Sequence, residues 1–236
     1  MKKIYSFIFA RGGSKGLPNK NLKKLVNKSL LAHSISIAKS IPRVSKIFVS
    51  TESEKISKLA QEYGVDVIPR PAELADDESP EWLAWQHAVK WVESRFGEFD
   101  TFLSLPCTSP LRIVDDVDKC LDSLDNDSEM IITMTEANRS PWFNMVSVNS
   151  KNYVNVILKD SKQIYCRQKA PAAFDMTTVA FVTRPNFIIN NTSIWDGRVK
   201  GVIIPKERSL DIDDAFDFSI AKYLMQERIS QENNGK

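Results

Sequence analysis

The sequence has few cysteines, histidines and glycines, and no long apolar run. Its three cysteines, Cys107, Cys120 and Cys166, stand far apart with no C-x-x-C pair. That argues against a disulfide framework or a thiolate zinc site and suits reduced thiols in a cytoplasmic protein. The two histidines, His33 and His87, sit within helical patterns, and no nucleophilic triad is visible. No stretch approaches the roughly 20 apolar residues that span a bilayer, so no membrane partner is expected. Lys2 and Lys3 precede an apolar run, Ile4–Ala10, which ends at Arg11 without a small-residue cleavage site. It is too short for a convincing secretory leader and reads instead as a first strand. The formal net charge of +2 gives no general reason to expect nucleic acid or an anionic membrane as partner.

What remains is a chain of 236 residues, 42% hydrophobic, enough for one compact α/β domain over residues 1–236. Ile4–Ala10 is the near-continuous apolar run of a central strand buried on both faces. Lys46–Ser50, Val65–Ile68, Thr101–Leu105 and Met130–Met134 read as further strands. Helical periodicity lies between them: Leu31, Ile35, Ala38; then Ile56, Leu59, Ala60, Tyr63, with Gly64 as a stop. Trp82, Trp85, Val89 and Val92 mark a third helix, introduced by Ser79 as N-cap and Pro80 at the first helical position. Val117, Cys120, Leu121 and Leu124 mark a fourth. This alternation predicts a mainly parallel sheet with helices on both faces. The rhythm breaks over about 136–174, which reads as an inserted arm or flap. Val179–Val182 and Val202–Ile204 are returning strands, and Phe216, Ile220, Tyr223 and Leu224 place a last helix that frays from about Ser230.

Directly after the first strand comes R-G-G-S-K-G-L-P-N-K-N, Arg11–Asn21. Ligands of open α/β sheets bind at the carboxyl ends of strands. Three glycines let backbone N–H groups approach an anion, and Arg11, Lys15 and Lys20 supply enough positive charge to face a triphosphate. Neither G-x-x-x-x-G-K-[ST] nor G-x-G-x-x-G is present, so this is neither of the two commoner phosphate loops. Near the other end, Leu210-Asp211-Ile212-Asp213-Asp214 precedes the last helix. In extended backbone Asp211 and Asp213 share one side, while Leu210 and Ile212 turn to the core. Two such carboxylates suit Mg²⁺, which commonly takes one or two carboxylates with phosphates and water. Asp214 and Asp217 suit helix capping better.

The loop resembles the N-terminal signature of the CMP-sialic acid synthetase (acylneuraminate cytidylyltransferase) family. The resemblance continues through R-P-A-E-L-A at Arg70–Ala75, T-S-P-L-R at Thr108–Arg112 and L-D-I-D-D at Leu210–Asp214. It implies a glycosyltransferase-A-like α/β fold, CTP and a 2-keto-3-deoxy sugar acid as substrates, and a place in cell-surface polysaccharide biosynthesis. By matching position, Arg11, Lys15 and Lys20 hold the CTP phosphates, Ser14 and Asn21 add nucleotide contacts, and Arg70 and Ser79 lie near the cytosine. Asp211 and Asp213 match the family's metal-binding D-x-D, and Asp211 is the candidate proton acceptor. Thr108, Ser109 and Arg112 are candidate donors to a polyhydroxylated sugar, and Arg167 to its carboxylate. Family members form homodimers through an inserted arm, which the resemblance places here at about 136–174.

Two departures concern the sugar. Pro106 stands where many sialic acid enzymes have glutamine, and Asp175, Met176, Thr177, Thr178 and Phe181 replace the usual residues of the R-…-P-…-F motif. Asp175 can face an amino or extra hydroxyl group. These changes point to a modified nonulosonate such as a legionaminate, or to an amino-Kdo. A CMP-Kdo synthetase, another sugar nucleotidyltransferase, a glycosyltransferase using D-x-D and a non-catalytic nucleotide-binding module are the alternatives.

Overall fold

The computed structural model describes residues 2–76, 78–159, 164 and 166–234. In chain order the strands are β1 (Ile4–Phe9), β2 (Lys24–Leu25), β3 (Lys28–Ser29), β4 (Val44–Thr51), β5 (Asp66–Pro69) and β6 (Thr101–Ser104). They continue with β7 (Met130–Glu136), β8 (Val146–Val148), β9 (Val154–Val156), β10 (Phe174–Thr183) and β11 (Val199–Ile203). The helices are α1 (Leu30–Ser40), α2 (Glu54–Glu62), α3 (Glu81–Phe96), α4 (Val114–Ser123), α5 (Pro185–Asn190) and α6 (Ala215–Asn234).

Seven strands form one sheet in the order β11-β7-β10-β6-β1-β4-β5. β1 pairs in parallel with β4 and β6, β4 with β5, and β7 with β11. β10 alone runs antiparallel, inserted between β6 and β7. Strand pleating sends alternate residues to opposite faces, and β1 feeds a core on each side. Ile4 and Ile8 pack with Leu31, Ile35, Ile56, Val117 and Met225 from α1, α2, α4 and α6. Tyr5 and Phe7 face α3 and α5 in an aromatic layer with Phe48, Phe102, Trp82 and Trp85. Phe7 stacks on Phe102 with centroids 4.4 Å apart and is fully buried. Truncating such a ring to alanine costs about 3–5 kcal/mol.

Each strand expected from the sequence is present, but β10 is longer than Val179–Val182 and runs against the sheet's direction. Ser79 does not cap α3: Pro80 holds the N-cap position with no side-chain cap bond, so Ser79 is left to face a cleft. Gly64, at φ 63°, ends α2 in the left-handed conformation, with its N–H on the Gln61 carbonyl. On α6 the expected apolar face is rotated. Ala221 and Met225 are buried, whereas Phe216 is 72% and Tyr223 62% exposed. The capped start fixes that rotation: Asp214 Oδ1 accepts from the Phe216 and Asp217 N–H groups, and Asp217 Oδ2 accepts from Asp213 and Asp214. The polar residues after Ser230 remain helical as far as Asn234. Within 136–174, β8 and β9 form a separate two-stranded ribbon whose Val146, Val148, Tyr153 and Val154 are exposed.

Candidate active site

The loop after β1 lies at the carboxyl edge of the sheet and is fixed from three sides. The Gly12 N–H donates to Glu52 Oε1 at 2.5 Å, just beyond the end of β4. Asn21 Nδ2 donates to the Arg11 carbonyl at 3.0 Å and closes the loop on itself. Lys20 Nζ donates to the Ile212 carbonyl at 2.7 Å and to Asp213 Oδ1 at 3.2 Å. The glycines have different tasks. A Cβ at Gly16 would collide with the Asp213 carbonyl oxygen, so only glycine lets the two backbones meet there. At Gly13 a Cβ would meet nothing within 4 Å, which leaves that backbone open to a ligand.

The acidic segment is thus held against the basic loop although nearly 200 residues separate them in sequence (|i−j| of 192 for Lys20 and Ile212). It is also stitched to the turn after β6, because the Ile212 N–H donates to the Thr108 carbonyl at 2.9 Å. Ile212 is fully buried and Leu210 packs against the same core, as the alternation requires. Asp213 is 78% exposed at its side chain and paired with Lys20. Asp211 Oδ1 is buried and has no hydrogen-bond partner among the described residues. An orphaned carboxylate oxygen two residues from a second carboxylate is a donor set that fits a hard divalent cation. No group of three or more His, Cys, Asp or Glu side chains is arranged to hold a metal ion among the described residues, so such a cation would complete its shell with phosphate and water.

Beside this junction opens a cleft of about 440 Å³. Arg11, Ser14, Lys20, Asn21, Arg70, Ser79, Thr108 and Phe181, all expected from the sequence, line it. Arg70 is not the surface ion-pairing arginine typical of a strand end. It is 8% exposed, with Nε on Ser50 Oγ at 3.2 Å, Nη2 on the Ser50 carbonyl at 2.8 Å, and its guanidinium over the Phe9 ring. Phe181 packs against Trp85 at 5.5 Å and forms part of an apolar floor.

Other expected residues stand elsewhere. Lys15 is exposed and outside the lining. Ser109 is fully buried and reaches the cleft only through Thr178, whose hydroxyl it meets at 2.7 Å; Thr108 meets the same hydroxyl at 3.2 Å. Arg112 is buried behind the turn, donating to the Pro106 carbonyl and to Ser34, so it braces the loop instead of facing a sugar. Asp175 is also off the cleft: parity puts Met176 and Thr178 on that side of β10, and a register shift between Thr177 and Val182 lets Phe181 join them. The Arg167 backbone begins a short 3₁₀ turn, Arg167–Lys169, while its side chain lies outside the described residues.

Several lining residues carry no role of their own in the sequence reading: Phe9, Glu81, Cys107, Met176 and Thr178. Glu81 opens the first turn of α3 and is open to the cleft but crowded on its flanks. Desolvation there pushes its carboxyl above the usual range, against the pull of the Trp85 indole and of Arg70. An acid directly after Ser-Pro reads as ordinary helix-dipole complement, which is why it drew no notice. Cys107 is 2% exposed, and burial pushes its thiol up to about 12.

A basic loop, a nearby carboxylate pair and a cleft with one charged and one hydroxyl-bearing end define a nucleotide-transferring α/β enzyme. The chain belongs to the Cytidylyltransferase family, which it matches over residues 6–228. It is 32% identical over 231 residues to post-translational flagellin modification protein B of Campylobacter coli, covering 97% of each chain. It is 31% identical over 228 residues to the CMP-N,N'-diacetyllegionaminic acid synthase of Campylobacter jejuni, covering 95% of this chain and 96% of that one. Among solved structures, a CMP:2-keto-3-deoxy-manno-octonic acid synthetase complexed with CTP superposes with a TM-score of 0.69 at 17% identity, covering 96% of this chain and all of the other. That likeness shows the fold. Among the described residues no helix is long and apolar enough to cross a membrane.

Proposed function

We propose that this chain transfers CMP from CTP to the anomeric hydroxyl of a nonulosonate, a 2-keto-3-deoxy sugar acid of the sialic or legionaminic type. One observation carries the reading: Lys20 ties the basic loop to the Asp211–Asp213 segment beside a cleft with room on both sides. A triphosphate lies along Arg11, Ser14, Lys20 and Asn21, with Lys15 closing over it from the exposed side. Its nucleoside turns toward Arg70 and Ser79. The sugar acid turns toward Thr108 and Thr178, and Arg167 takes its carboxylate as a bidentate partner. In the transfer the acceptor oxygen bonds to the α-phosphorus, the bond from that phosphorus to the bridging oxygen of the β-phosphate breaks, and pyrophosphate leaves. Asp211 receives the acceptor's proton.

Asp211 and Asp213 would hold Mg²⁺, which supplies charge neutralisation at the phosphate oxygens. Arg11 and Lys20 add fixed positive charge where negative charge develops; losing one preorganised group of this kind costs roughly 10²–10³ in kcat. The reading also includes a cytoplasmic homodimer, joined through the apolar ribbon of β8 and β9. Light scattering at working concentration tests the dimer, and a single monomer peak would remove it. The reaction is tested by pyrophosphate release from CTP and Mg²⁺ with N-acetylneuraminate, legionaminate, pseudaminate, Kdo and 8-amino-Kdo. Release with a nine-carbon acid is expected. Release only with a Kdo sugar moves the assignment to that acid, and no release with any of the five ends it.

A further inference from the structure

The cleft has to tell cytosine from uracil, and Glu81 stands where that choice can be made. Given the cytidylyltransferase reading above, the triphosphate on the central loop leaves two ends for its neighbours. The end at β6 and β10 carries the hydroxyls of Thr108 and Thr178, linked to each other and to Ser109, and suits a polyhydroxylated acid. The opposite end has the flat guanidinium of Arg70 over Phe9, with Leu74 and Ala84 as apolar walls. That end suits a planar base, whose ring packs on the walls while a carbonyl accepts from an arginine.

Cytosine and uracil differ at positions 3 and 4: the one presents an amino group, the other a carbonyl oxygen. Selection for cytosine needs a hydrogen-bond acceptor there, and a carboxylate is the side-chain acceptor that favours the amino group and repels the carbonyl. Among the described residues two carboxylates line the cleft, Asp76 and Glu81. Asp76 accepts the Glu78 N–H at 3.3 Å and is engaged in its own turn. Glu81 projects from the first residue of α3 next to Arg70, and its carboxylate, with the Trp85 indole on one flank, keeps acceptor lone pairs for the cleft it lines. We infer that Glu81 is the residue that selects CTP over UTP, by accepting from the 4-amino group of the base.

The test compares the wild-type chain with Glu81→Gln and Glu81→Ala. A glutamine amide can turn and donate to the uracil carbonyl, so Glu81→Gln should lower the CTP-over-UTP ratio of kcat/KM by roughly 10–100-fold. Glu81→Ala should weaken CTP and lose selectivity without the gain for UTP. Calorimetric binding of CTP and UTP to the same three proteins provides a second readout that needs no sugar acid. Far-UV circular dichroism and melting temperature establish that the variants are folded. An unchanged CTP-over-UTP preference in both folded variants overturns the inference while leaving the reaction intact. A wild-type chain that binds CTP in preference to UTP yet turns over no sugar acid would overturn the reaction, and the binding comparison would still decide the role of Glu81.

Discussion

The two walls of the cleft are assembled in different ways. The nucleotide wall is made of short local segments: one loop after β1, the strand end at Arg70, and the first turn of α3. Its side chains are charged and its shape depends on backbone approach, as at Gly16. The acceptor wall comes from two strands that meet antiparallel, β6 and β10, and its polar groups are hydroxyls that bond to one another before any ligand arrives. A triphosphate is common to many reactions and can be held by a compact element of fixed composition. A sugar acid varies in its substituents, and a wall built on strand parity can exchange one residue in two without disturbing the sheet.

The largest effect expected is at the junction that serves both walls. Asp211→Ala and Asp213→Ala should each lower kcat by about 100-fold or more while the melting temperature stays near that of the wild type. Wild-type-like turnover in either variant would take that aspartate out of the chemistry. Gly16→Ala should act through the backbone: displacing the loop from Asp213 is expected to cost about 1–3 kcal/mol of stability and to raise the KM for CTP. Thermal denaturation beside CTP kinetics measures both, and an unchanged melting temperature would show that the close approach is easily relaxed. Thr178→Val should touch one wall only. The KM for the sugar acid is expected to rise about 3–10-fold with the KM for CTP unchanged. Equal effects on both substrates would erase the distinction between the walls. Cys107 gives the smallest effect. Its buried thiol, with its pKa pushed up to about 12, stays protonated at neutral pH, so iodoacetamide at pH 7.5 should label the half-buried Cys166 before it costs any activity. Loss of activity in step with labelling of Cys107 would mean that the floor of the cleft opens.

The difference between the walls also governs what could be read from the chain. The loop at Arg11–Asn21 was legible because its glycines and cations are contiguous, and the D-x-D because a period of two is enough to put both acids on one side. Asp214 and Asp217 were legible as caps for the same local reason. Ser109 and Asp175 were misplaced because their orientation depends on register. Thr133 bonds Thr177 across 44 residues, and that pairing sends Thr177 to one face and Thr178 to the other. The antiparallel sense of β10 had no local signal at all, since an apolar run of that length is compatible with either direction. Glu81 was missed because nothing near it in sequence separates a base-facing acid from an ordinary first-turn glutamate.

The position of β10 has a further consequence, for the newborn chain. Among the described residues β7 pairs only with β10 and β11, both of which lie after it in sequence. A ribosome that has made the first 160 or so residues has released β7 with no neighbour and β6 with one open edge. Such edges are templates for pairing with other chains. The sheet therefore cannot close along one half until its last third has emerged, and the long loops that must shut at that moment make closure slow. Fragments ending before Phe174 are expected to associate with one another more than the 236-residue chain, which supplies β10 and β11 itself.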